Sequence, residues 1–180
     1  MYKSFTFLFV LFTLIATPCK YLAQTCPTPE DVSTKTMSLF EKATNKKKKK
    51  TTEERIEMLN EVVDRQNDFC AAYEALVGFL FKQAKKDREF IDECRAATAN
   101  WIELCGDQSE ANYILGVLAF ISGDASSALV EFEKFIAQTD EEAENEMLSP
   151  LNARKRRDVL EMIPEARFEV QYYSNRNAYK

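Results

Sequence analysis

The stretch Asn112-Tyr113-Ile114-Leu115-Gly116-Val117-Leu118-Ala119-Phe120-Ile121-Ser122-Gly123-Asp124-Ala125-Ser126-Ser127-Ala128-Leu129-Val130-Glu131-Phe132 decides how this chain folds. Ile114, Leu115, Leu118 and Ile121 recur at helical steps, and Ala128, Leu129, Phe132 and Phe135 repeat the pattern. Gly123-Asp124 interrupts it and reads as a turn. Ser109 reads as the cap of the first helix. The segment is thus a pair of helices joined by a tight turn, and such a pair raises the question of a repeat.

Working outward, the same signals recur. Thr28-Pro29-Glu30-Asp31 places a cap, a first-position proline and two acids at the start of a helix that carries Met37, Phe40 and Ala43 and runs to about Asn45. Lys46 to Lys50 is a loop. Its alternative reading, a nuclear or nucleic-acid signal, conflicts with an exported chain. Thr51 and Glu54 then form a capping box ahead of Ile56, Leu59, Val62 and Val63. Asp68 reads as the cap of a third helix, Phe69 to Ala84. Asp87 opens a fourth through Cys94 and Trp101, which ends at Gly106. Beyond the quoted pair, Asp140 to Glu146 reads as an acidic linker. Ser149-Pro150 starts a helix to about Ile163, and Pro164 starts a short last one through Phe168 and Tyr172. The expected fold is all-α, with about eight helices.

Leu115-Gly116, Gly123-Asp124 and Ala128, twelve residues after the glycine, resemble a tetratricopeptide repeat. In that family the Leu-Gly pair lets the first helix approach its neighbour, and the small residue marks the closest point of the pair. Stepping back 38 residues from Gly116 reaches Gly78, and another 38 reaches Phe40, against a family period of about 34. These two earlier units lack the Gly-Asp turn and carry Cys94 and Ile56 at the small-residue position. The resemblance implies a short solenoid of antiparallel helix pairs over residues 24–148, in units of about 28–68, 69–108 and 109–142, closed by capping helices and a tail over 149–180. It also implies that Gly78, Leu115, Gly116, Ala128 and Phe132 are packing positions. Phe79, Tyr113, Val117 and Phe120 would line a concave peptide groove; the competing reading makes them core. Families that grip a terminal carboxylate use Lys and Asn at the positions of Tyr113 and Val117, so that mode is not expected. The arrangement further resembles the amino-terminal helical region of Bacteroidetes-type envelope proteins, where such repeats precede a β-propeller and an OmpA-like domain. Neither later domain is in the sequence, so cell-wall binding is not carried over.

Lys3, the uncharged run Phe5 to Ala16 and Tyr21-Leu22-Ala23 read as an export leader over residues 1–23. A membrane anchor needs about 20 apolar residues, and Pro18 and Lys20 break this run. A lipoprotein cut is disfavoured because Cys19 follows Pro18 and Cys26 follows Thr25, where small residues are wanted. Cleavage removes two of the 24 basic residues and none of the 29 acids, leaving a net charge of −7. That balance opposes general attraction to nucleic acid or anionic lipid. Four cysteines remain: Cys26, Cys70, Cys94 and Cys105. An oxidising compartment permits disulfides among them in three full pairings, while Cys70 and Cys94 read equally as small core residues.

The chain has no histidine, which removes the commonest general base and the usual zinc spacings. No catalytic residue, metal or cofactor is expected. The expectation is an exported, periplasmic or secreted scaffold that binds a protein or peptide in the envelope, with no stable membrane span after cleavage. The alternative is a structural subunit, or the remnant of a larger assembly, with no groove ligand. Mass measurement of the protein from the envelope fraction should give a species beginning at Gln24; one that retains Met1, or carries lipid on Cys26, counts against the soluble exported form.

Overall fold

The computed structural model describes residues 32–178 apart from Asp107 and Glu146, so the leader, Cys26 and the Thr28-Pro29 start lie outside the described residues. The described chain is all-α: α1 Thr34–Thr44, α2 Thr52–Arg65, α3 Cys70–Ala84, a 3-10 turn Arg88–Phe90, α4 Ile91–Cys105, α5 Ser109–Ser122, α6 Ala125–Glu144 and α7 Pro150–Ala178. Each helix packs chiefly on its neighbours in sequence, most extensively α5 on α6 and α3 on α4. A smaller contact joins α5 to α7.

Local chemistry sets most of the boundaries. Ser33 starts α1 by accepting from the Thr36 N–H at 3.2 Å, so the helix begins later than the Thr28 cap would place it. The Thr51–Glu54 capping box forms in both directions, at 3.2 and 2.8 Å. Asp87 caps the 3-10 turn rather than α4 itself. Two expected caps are used otherwise. Asp68 accepts from the Gln66 amide at 3.0 Å, and the Ser109 hydroxyl donates to Glu142 at 2.9 Å. Gly123 closes α5 with φ +83°, a left-handed turn that a side chain would strain.

The C-terminal third departs from expectation. Asp140 to Glu144 is helix, not linker, because its polar groups have partners. Thr139 is fully buried and donates to the Phe135 carbonyl at 2.9 Å. Asp140 pairs with Arg156, and Glu142 accepts from both Ser109 and Asn152. These acids tie α6 to α5 and α7. Ser149 caps α7, accepting from the Asn152 N–H at 3.0 Å. That helix continues through Pro164 instead of restarting there, so the described residues hold seven α-helices. An interior proline removes one backbone bond. Here Pro164 is exposed, α7 packs on α6, and beyond the proline Ala166 is fully buried while Arg167 pairs with Glu133 of α6 at 3.3 Å.

Three features fix the packing. A β-carbon on Gly116 would run into Cδ1 of Phe132 and lie 2.6 Å from its Cε1, and Phe132 and Ala128 are both fully buried. Gly78 differs from its expected packing role: a β-carbon there meets nothing within 4 Å. Cys70 and Cys105 form a disulfide joining the start of α3 to the end of α4, with a sequence separation of 35.

Gly116→Ala and Ala128→Leu should each lower stability by about 1 to 3 kcal/mol through overpacking. Gly78→Ala should raise it by about 0.5 to 1 kcal/mol, because only helix propensity changes there. Urea titrations of the three variants check the ordering; equal effects at Gly116 and Gly78 would contradict it. Reducing the Cys70–Cys105 bridge should remove about 3 to 4 kcal/mol if loop closure is the main term, read as the shift in urea midpoint with and without dithiothreitol.

Candidate binding groove

A groove of about 720 Å³ lies between α3, α5 and the first half of α7, with Lys46 at its edge. Helical periodicity builds its walls. On α3 and its C-cap, Glu74, Gly78, Phe81, Lys82 and Lys85 each lie three or four residues from another of the set, so they share a face, with Phe79 alongside. On α5, Glu110, Tyr113 and Ile114 do the same, and on α7, Leu151, Arg154, Lys155 and Asp158. The result is an aromatic floor with charged sides.

Tyr113 sits at the centre. Its ring meets Phe81 edge-on at 6.0 Å and Phe135 at 5.5 Å, which links the groove to the core. Burial, with Asp158 nearby, pushes the Tyr113 phenol above its ordinary pKa. Cations lie over the ring faces: Lys82 over Phe79 at 5.1 Å, Lys85 over Phe81 at 4.6 Å and Lys155 over Tyr113 at 5.2 Å. Of the five lining cations, only Lys155 is ion-paired among the described residues, to Glu110 at 2.6 Å.

The sequence-derived groove set divides. Phe79 and Tyr113 line the groove, both half-buried. Val117 is instead buried in the core, and Phe120 packs on Phe132 with centroids 6.3 Å apart. Gly116, Ala128 and Phe132 meet at the α5–α6 approach, Leu115 is half-buried, and Gly78 belongs to the groove. Sequence reasoning missed Lys82 and Lys85, although their spacing from Gly78 marks them as its face. It also missed Arg154 and Lys155, because nothing local says that α7 packs on α5 and faces the same groove as α3.

Buried Arg55 was likewise unforeseen. It donates to the carbonyls of Ala43, Asn45 at 3.1 Å and Lys48 at 2.9 Å, and so holds the lysine loop against α2. Among the described residues no group of three or more His, Cys, Asp or Glu is placed to hold a metal. No described helix is long and apolar enough to cross a membrane. Compared with protein-family models, curated proteins and solved structures, the chain matches none.

Cys94 is fully buried, and burial pushes its thiol from 9.0 up to about 12. Burial also raises the Tyr73 and Tyr113 phenols. A raised pKa means that the folded state holds the proton more tightly than the unfolded state does. The associated stability is therefore complete below pH 9.0 and is lost as the pH climbs toward about 12. Urea midpoints should fall across that window, and Cys94→Ala should flatten part of the fall; an unchanged slope in the variant would exclude the thiol as a contributor.

Proposed function

We propose that this protein is an exported interaction scaffold of tetratricopeptide type in the cell envelope, and that it takes a peptide segment of a partner in the groove between α3, α5 and α7. The observation that carries this reading is that one open groove is walled by alternate helices of a sequentially packed stack and floored by the half-buried rings of Phe79 and Tyr113. Amphipathic or extended peptides use such surfaces, resting apolar side chains on aromatic walls. The Cys70–Cys105 bridge supports an oxidising compartment.

A second reading, a docking subunit, draws support from the end of α7. Phe168, Tyr172 and Tyr173 are 69%, 54% and 57% exposed, and their rings contact one another at 6.3 and 5.5 Å. Exposed aromatic clusters of this kind mark interaction surfaces.

Cross-linked pull-down from an envelope fraction separates the two. Under the groove reading, Gly78→Leu should abolish partner capture while leaving the melting temperature unchanged or higher. The triple variant Phe168→Ser, Tyr172→Ser, Tyr173→Ser should then capture normally. The reverse pattern would replace the groove reading with the docking-subunit one.

A further inference from the structure

We infer that the groove selects acidic segments: peptides whose Asp and Glu side chains pair with Lys82, Lys85 and Arg154 while an apolar side chain rests on Phe79 and Tyr113. This inference rests on the groove reading above and gives it a ligand class. The chain as a whole is acidic, with a formal net charge of −5, yet the groove gathers Lys46, Lys82, Lys85, Arg154 and Lys155 against Glu74, Glu110 and Asp158. Local charge is therefore opposite in sign to the charge of the whole chain. A surface that merely keeps a protein soluble has no reason to concentrate the minority charge in a recess floored by aromatic rings.

The state of these cations supports the same assignment. Lys155 already has its carboxylate, Glu110. Lys82 and Lys85 instead lie over Phe79 and Phe81, at 5.1 and 4.6 Å. A ring face holds an ammonium less strongly than a charge-assisted hydrogen bond to a carboxylate does, so an incoming acid can draw both lysines into pairs at little loss. Departure of Lys82 also uncovers a face of half-buried Phe79 for an apolar side chain. Electrostatic and apolar contacts would thus form together.

Gly78 supplies the space. It lies within α3, where glycine lowers helix stability relative to alanine. No packing neighbour requires it, since a β-carbon would meet nothing within 4 Å. What its missing side chain provides is clearance along the groove, between Glu74 and Lys82 on the same face of α3. Terminal-carboxylate capture is not the mode inferred, because the acids of the ligand are side chains and the contacts come from the ends of α3 and the start of α7.

The test is selection of a random dodecapeptide library on the immobilised full chain. Selected sequences are then made as acetylated, amidated peptides, so that no terminal carboxylate is present, and affinities are measured by fluorescence anisotropy. Selected peptides should be enriched in Asp and Glu around an aromatic or aliphatic residue and should bind more weakly as salt is raised. Lys82→Gln with Lys85→Gln should weaken binding about tenfold or more and reduce the salt dependence, with an unchanged melting temperature. Gly78→Leu should abolish binding. If selected peptides are neutral or basic yet are lost in Gly78→Leu, the acidic class is overturned and the groove reading survives. If they bind only through a free terminal carboxylate, or ignore the lysine substitutions, the acidic class is likewise overturned. If none is selected, or binding survives Gly78→Leu, the groove reading itself falls.

Discussion

The ring of Phe132 occupies the place where a side chain on Gly116 would begin, and much of the molecule's geometry follows from that contact. It brings α5 and α6 together along their length, with Ala128 and Phe135 fully buried beside it. Phe135 then reaches Tyr113, and Tyr113 reaches Phe81, so a row of rings runs from α6 through α5 to α3. Burial inside a close-packed core leaves each ring little freedom, and displacement of one is passed to the next. Tyr113, half-buried on the groove floor, is thus the middle ring of a row whose two ends are buried in the core.

A second constraint is electrostatic. Arg55 is buried, and its guanidinium is satisfied by three backbone carbonyls in the last turn of α1 and the loop after it, not by a carboxylate. Carbonyls at a helix C-terminus carry partial negative charge, which suits a planar cation with five donors. The same guanidinium lies 5.6 Å from the centre of Phe79. One side chain therefore closes the first helix, fixes the loop that brings Lys46 to the groove and backs a ring on the groove floor.

Features that depend on adjacent residues were legible in the sequence: the capping box at Thr51, the left-handed turn at Gly123, the cap at Ser149 and the glycine facing Phe132. Each is decided within one or two helical turns. What depended on distant partners was not legible. Asp140 to Glu144 looks like a solvated linker until Arg156, Asn152 and Ser109 are placed around it. Pro164 looks like a helix start until α7 is seen packed on α6 with Ala166 fully buried beyond the proline. Val117 and Tyr113 stand four residues apart on α5, yet one is core and the other groove. That division depends on how α3 and α7 lie against α5, which the spacing on α5 alone does not encode. Gly78 matched Gly116 in register, but only Gly116 has a ring above it.

The Cys70–Cys105 bridge gives the chain a covalent topology that its linear sequence hides. Everything from α3 to α4 is one closed loop, spanning a sequence separation of 35. If the two ends of the protein are drawn apart, tension passes through the sulfur atoms and bypasses that loop. Its residues add nothing to the stretched length, a deficit of roughly 120 Å at the usual extension per residue. A single protease cut inside the loop likewise leaves the two fragments joined, so the central hairpin can be nicked without the molecule coming apart.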